Sequence, residues 1–176
     1  MLRNLEYYEE KGIGLPYPVI LLNIVQELID DRGERIGTRI PNLQGLSATV
    51  AIARCLHPLK LRGAEVRFIR RVLDVNQMDF SAQLELGSVE SISRWENDVR
   101  PVGDSVDKLL RFVAIASLRE LAPGISAAAD SKLIQLRIQR RHSLDEWPRL
   151  VITPTSSKGV GIEYTLHSAD QASQPI

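Results

Sequence analysis

A chain of 176 residues with one cysteine, Cys55, can close no disulfide within itself and can offer no set of thiolates to zinc. That excludes a disulfide-stapled scaffold and suits a reducing cytoplasm, with Cys55 expected as a small buried hydrophobe. Net charge is missing as well. Lys plus Arg and Asp plus Glu both number 22, so composition alone does not announce a polyanionic partner as a strongly basic chain would. The longest apolar run, Val19 to Leu22, falls far short of the roughly 20 residues that cross a bilayer. Met1 to Glu6 lacks the apolar core of an export signal, so a cytoplasmic protein with no membrane partner is expected. Catalytic signatures are lacking too. His57, His142 and His167 lie far apart with no carboxylate or cysteine at ligand spacing, no glycine-rich phosphate loop follows a strand, and no serine sits in a nucleophile elbow. No catalytic residue, metal or cofactor is therefore expected. Each histidine is read as a surface residue, and Asp145-Glu146 beside Trp147 as a helix start or solvated turn.

What is present is 44% hydrophobic content, enough for one medium domain or a small domain with appendages. Internal repeats and low-complexity tracts are not among its features. The apolar run Pro18 to Val25, the acidic turn Asp30-Asp31-Arg32-Gly33 and the alternating Glu34 to Ile40 suggest a β-hairpin, although Val25 to Ile29 also fits one face of a helix. Pro41-Asn42 then opens a helix in which Leu43, Leu46, Val50 and Ala53 recur at helical spacing up to Leu56, with Pro58 as the stop. Towards the other end, Ser126 to Asp130 reads as a loop or cap, and Leu133, Leu136 and Ile138 as a helix in a basic stretch ending Arg140-Arg141-His142. Leu150 to Thr153 and Val160 to Leu166 read as a hairpin joined by Thr155 to Gly159, with Ser168 to Ile176 as a frayed end.

The middle of the chain is the most informative part. From Leu61 to Leu73, Ala64, Phe68, Ile69 and Val72 recur every three or four residues, the pattern of a helix laying one stripe on a core. Arg62, Arg67, Arg70 and Arg71 fill other positions of that stretch, either as a phosphate-binding patch or as a solvated face. Asn76 has the side chain of an N-cap, and a second helix from Gln77 to about Leu84 would bury Phe80 and Leu84. Gly87 supplies freedom to turn, Ser88 can cap, and a third helix covers Val89 to Asn97. After Val99-Arg100-Pro101, the positions Val106, Leu109, Leu110, Val113 and Leu118 define a long helix stopped by Pro123-Gly124, and Phe68, Phe80 and Phe112 all sit at core spacing. The second and third helices are short and tightly joined, and the third carries small polar and charged side chains on one face with Ile92 and Trp95 on the other. A helix held that way fits a DNA major groove, which is wide enough to admit it. Trp95 fits a core anchor better than a base-stacking residue, because it follows Ile92 by three positions.

Residues Leu61 to Leu118 resemble the lambda-repressor-like helix-turn-helix domains of the Cro and xenobiotic-response-element (XRE) regulators. The resemblance is carried by Leu73 to Ser81 with Gln77 opening the second helix, by Ile92-Ser93-Arg94-Trp95-Glu96 closing the third, and by Pro101 ahead of the later helices. Gly45-Leu46, Ala51-Ile52-Ala53 and Leu61 to Arg70 also look like the helix-turn-helix half of the YgiT/MqsA-type antitoxins. Two departures stand out. Leu84 to Ile92 is one residue longer than the usual turn, and the zinc domain of those antitoxins needs paired cysteines that this chain lacks. The resemblance implies that Gln77 meets a phosphate or a base, and that Val89, Glu90, Ser91 and Arg94 face the groove beyond Ser88. An arginine–guanine or glutamate–cytosine pair there contributes about 1–3 kcal/mol of discrimination. Glu90 stands where the antitoxins carry an uncharged polar residue, and either accepts from a base or stabilises the helix N-terminus as a first-turn acid. Arg100 either holds a phosphate or is an exposed loop arginine.

The expected fold is mainly α within the α+β class: a central five-helix DNA-binding domain over 59–122, with small β-containing extensions on either side. The first, 1–58, holds strands and a helix and serves dimerisation or partner binding; the second, 123–176, holds a helix and a β-hairpin. The expected function is sequence-specific binding of double-stranded DNA by a transcriptional regulator, working as a homodimer because one recognition helix covers only a few base pairs. Two alternatives stand beside it: an antitoxin that binds a toxin partner and regulates its own synthesis, and a helical protein–protein interaction module that binds no DNA.

Overall fold

A computed structural model describes residues 1–155 and 162–167. Five short strands precede the first helix: β1 (Leu2–Asn4), β2 (Tyr7–Glu10), β3 (Val19–Leu22), β4 (Gln26–Ile29) and β5 (Arg35–Arg39). The hairpin read from the sequence is β4 against β5, so Val25 to Ile29 takes the strand alternative. Its turn is closed by Asp30, whose Oδ1 accepts from the amides of Arg32 (2.9 Å) and Glu34 (2.8 Å), while Gly33 takes a φ of 81°. The hairpin's first strand is shorter than expected. Asn23 adopts a left-handed φ of 57°, which divides the apolar run Pro18 to Val25 and sends Val19–Leu22 into a different sheet.

That second sheet joins distant parts of the chain. Its order is β2-β3-β6-β7, with β6 at Val151–Thr155 and β7 at Glu163–Leu166, and the other sheet is β1-β4-β5. β3 and β6 run parallel with Ile20 opposite Val151, whereas β6 and β7 form the antiparallel C-terminal hairpin. The expected connection beyond Thr155, the start of its second strand at Val160, and the end from Ser168 lie outside the described residues.

The helices are α1 (Leu43–Leu56), α2 (Gly63–Val72), α3 (Gln77–Gln83), α4 (Glu90–Glu96), α5 (Asp104–Leu118), α6 (Pro123–Ser126) and α7 (Ala129–Gln135). Asn42 caps α1 as its position suggests, accepting from the Gly45 amide at 3.0 Å. α1 is buried on almost every side, which suits a helix running through the centre, and it lies against α2, α5, α7 and β7. The result is a mixed α+β chain whose single hydrophobic cluster extends from Leu15 to Tyr164 across positions 58/59 and 122/123. Stretch 59–122 holds four helices, α2 to α5, where five were expected, because the chain after Leu118 turns before α6 opens at Pro123.

Three expectations for the helical part need correction. α5 buries Leu110, Ala114, Ile115 and Leu118 together with Asp107 and Arg111, so Phe112 at 37% exposure and Leu109 at 42% fall off the stripe. The buried Arg111 occupies the face that spacing alone had given to aromatic and aliphatic side chains. Pro123-Gly124 does not lie beyond a helix but opens α6, where a proline lacking an N–H is harmless. Gly124 is required there, because a Cβ would come within 2.7 Å of the Tyr164 carbonyl oxygen. The basic C-terminal helix is α7 and stops at Gln135, so Ile138 lies in an extended strap that pairs Gln139 with Leu59.

Candidate nucleic-acid interface

α3 starts where Asn76 turns its side-chain oxygen onto the Asp79 amide (2.9 Å) and buries Phe80 completely, with Leu84 following at 2% exposure. Glu85 then adopts a left-handed φ of 51°, and its amide and that of Leu86 return to the carbonyls of Ala82 and Ser81, closing the helix. α4 begins at Glu90 and ends at Glu96, one residue inside the expected Val89 to Asn97 at each end. Ile92 (0%) and Trp95 (7%) are buried as expected. Burying such a side chain is worth about 1.5–3 kcal/mol, so the two fix which face of α4 points outward.

Glu96 determines how α4 is held. Its carboxylate, on a side chain only 2% exposed, accepts from Arg70 Nε (2.5 Å) and Nη2 (3.1 Å) on α2 and from Gln77 Nε2 (2.9 Å) on α3. The Arg70 and Gln77 donors outweigh burial and hold the Glu96 carboxyl below its ordinary range. Gln77, read from the sequence as a phosphate or base contact, therefore has its amide nitrogen engaged inward. The end of α4 also abuts the start of α2. Asp98, at φ 53°, accepts from the Gly63 amide (2.9 Å) and from Arg62 (3.0 Å), and a Cβ on Gly63 would meet the carbonyl oxygens of Trp95 and Glu96.

The outward face of α4 carries the rest of the expected site. Arg94 is exposed, and among the described residues its guanidinium has neither a hydrogen bond nor an ion pair. Val89 is exposed as the N-cap residue, and Ser91 is half-buried. Ser88 does not cap the helix: its hydroxyl donates to the Glu90 carboxylate, and Val89 stands in the cap position with no side-chain cap bond. The Ser88 hydroxyl, followed by Glu90's own amide, lowers the Glu90 carboxyl pKa. That leaves Glu90 ionised at the tip of α4, consistent with first-turn stabilisation and with base reading alike. Arg100 is exposed, without a side-chain partner among the described residues, and shares a cleft of about 270 Å³ with Arg140 between the start of α2 and the loop after α4.

Of the four arginines ahead of the motif, three are internally engaged. Arg62 pairs with Asp98, Arg67 donates to the Glu96 carbonyl (2.8 Å) and to Asn97 Oδ1 (2.9 Å), and Arg70 pairs with Glu96. Arg71 is exposed and has no such partner among the described residues.

A buried ionic cluster supports this arrangement from behind. Arg54 and Glu65 have side-chain exposures of 0%, and Glu65 also accepts from Tyr17 Oη (2.9 Å), the Arg62 amide (2.8 Å) and Arg141 Nη2 (2.7 Å). Arg111, paired with Asp107 at 2.5 Å, donates to the carbonyls of Cys55, His57 and Leu59, while Arg54 donates to those of Leu59 (2.9 Å) and Lys60 (3.2 Å). Two guanidinium groups thus satisfy the carbonyls of the α1–α2 connection, sharing that of Leu59. Nothing in the periodicity marks this cluster except charged residues at core positions, Arg54 within an alanine-rich helix and the Asp107–Arg111 pair one turn apart.

His57 is half-buried in that connection rather than on the surface, and burial beside Arg54 and Arg111 pushes its imidazole pKa down to about 4. Trp147 is half-buried too, its ring tilted against that of Tyr17, with the guanidinium groups of Arg62 and Arg141 5.0 and 4.9 Å from its centroid, and the Ser143–Glu146 hydrogen bond makes its surroundings a turn. Cys55 is buried as expected, its thiol pKa raised to about 12. Among the described residues no cluster of His, Cys, Asp or Glu could hold a metal ion, and no helix is long and apolar enough to cross a membrane. Comparison of the chain with protein-family models, curated proteins and solved structures found no match in any of the three.

Proposed function

We propose that this chain is a sequence-specific reader of double-stranded DNA, a cytoplasmic transcriptional regulator of the lambda-repressor-like, XRE type, with α4 as its recognition helix. The observation that carries the reading is Arg94, a guanidinium without hydrogen bond or ion pair among the described residues, on the outward face of a helix whose other face is anchored by Ile92 and Trp95. A free guanidinium on a rigid helix can pair bidentately with the O6 and N7 of guanine. Val89, Glu90 and Ser91 would stand beside it at the base edges. Arg100 would take a phosphate, with Arg140 close by in the same cleft. The bonds from Arg70 and Gln77 to Glu96 serve the reading by fixing the angle at which α4 leaves the body. One helix of this length covers only a few base pairs, so two copies on a two-fold site, with half-sites about 34 Å apart, are required for useful affinity.

Selection from random duplex DNA at low salt tests the proposal. It should enrich a site with two related halves about one helical turn apart. Enrichment of no sequence would refute it. A second reading, a protein–protein interaction module, is favoured by one observation: Arg62, Arg67 and Arg70 are engaged internally, which leaves few free cations against the charge of Glu90. An antitoxin that also regulates its own synthesis is a separate alternative, recognised by co-purification with its toxin.

A further inference from the structure

On the side of the molecule lined by the end of α1 and the end of α7 lies a larger cleft, about 450 Å³, within the size range of small-molecule sites. Its floor is apolar, made of Leu56, Leu136, Leu150 and Leu166. Lys132, Arg137 and Arg149 also line it; all three are exposed, and none has a hydrogen bond or ion pair among the described residues. The lining includes no aspartate or glutamate. His57 adds no charge to it near neutral pH, since burial and the neighbouring arginines keep the imidazole unprotonated. Three positive charges thus line an apolar floor, with no acidic side chain among the described lining residues to balance them.

We propose that this cleft binds a small organic carboxylate, its charged head among Lys132, Arg137 and Arg149 and its hydrocarbon body on the leucine floor. The chemistry selects this class over its rivals. Apart from the His57 imidazole no aromatic side chain lines the cleft to stack on a base, and among the described residues no carboxylate lines it to accept from sugar hydroxyls. A carboxylate with an aliphatic body satisfies both parts of the site, gaining charge-assisted hydrogen bonds at one end and apolar burial at the other. His57 and Pro58, which also line the cleft, begin the connection whose carbonyls Arg54 and Arg111 hold ahead of α2. The site is independent of DNA binding, and so is its test.

The experiment titrates the full chain with octanoate, 1-octanol and octylamine, probes that share one hydrocarbon body and differ in charge, using calorimetry or chemical-shift changes. Octanoate should bind saturably, with one molecule per chain and an affinity on the order of tenfold above that of octanol, the size of one charge-assisted contact. The pair Lys132→Gln and Arg149→Gln, which leaves only Arg137 of the three cations, should shrink that advantage severalfold while leaving octanol binding unchanged. Both side chains are exposed and unpartnered among the described residues, and an unshifted thermal melt checks that the fold is kept. Octanoate binding no tighter than octanol or octylamine, an advantage undiminished by the double substitution, or no binding by any probe would each overturn the proposal.

Discussion

Glu65→Gln is the perturbation that probes most directly what holds the helices in place. Its carboxylate lies at 0% side-chain exposure and accepts from Arg54 through Nε and Nη2, from Tyr17, from the Arg62 amide and from Arg141. A glutamine keeps the shape but offers one acceptor oxygen, so its amide nitrogen would face guanidinium donors in either orientation. The charge that balances Arg54 would vanish with it. Removing one partner of a buried pair costs about 3–5 kcal/mol, because the other charge stays buried without compensation. For a chain of this length, at about 2–4 °C per kcal/mol, the midpoint of thermal unfolding should fall by roughly 10 °C. Calorimetry or a circular-dichroism melt reads the shift, with Glu90→Gln as an exposed control expected to stay within about 0.5 kcal/mol. A Glu65→Gln protein melting within about 2 °C of wild type would refute the assignment of Glu65 as the keystone between α1, α2 and the C-terminal strap.

Other sites give independent tests. Gly63→Ala should cost about 3 kcal/mol or abolish folding, since the new methyl would collide with the carbonyl oxygens of Trp95 and Glu96; a urea midpoint equal to wild type would contradict that packing. Glu85→Gly should raise stability by roughly 0.5–1 kcal/mol by relieving a left-handed residue whose side chain is exposed, and a lowered midpoint would argue against the turn as described. His57, with its pKa pushed from 6.5 to about 4, stays neutral in the fold while the unfolded chain takes up a proton. Its contribution is therefore complete above pH 6.5 and is lost as pH falls towards 4. Discounted for its partial exposure, that loss is about 2 kcal/mol, and His57→Gln should flatten the slope of urea stability over the same interval.

The sequence made local structure legible wherever a single residue starts a helix or closes a turn. Asn76 caps the helix it was expected to cap, Asn42 caps the helix that Pro41-Asn42 was expected to open, and the turn at Asp30 to Gly33 closes its hairpin. Ile92 and Trp95 lie on the inner face of α4 as their spacing requires. Longer-range arrangements were hidden. Nothing local tells Val19–Leu22 to pair with Val151–Thr155, because parallel strands meet only once the intervening chain has folded. The buried arginines were illegible for a different reason: Arg54 and Arg111 interrupt apolar stripes, and only the carbonyls of residues 55–60, unknown until the α1–α2 connection is built, justify placing them there. The same limit applied to Ser88, whose hydroxyl turned to Glu90 instead of capping α4, and to Phe112, displaced from the core because the face one residue earlier was given to Arg111.

The central claim is that the outward face of α4 reads DNA, and Arg94 tests it most directly. The measurement is the affinity of Arg94→Ala and Arg94→Lys for an enriched duplex, compared with a scrambled duplex of equal length at the same salt. Losing a bidentate base contact should cost about 1–3 kcal/mol, a loss on the order of ten- to a hundredfold for the specific duplex, with far less change for the scrambled one and only partial rescue by lysine. Equal weakening on both duplexes, or none, would contradict the claim.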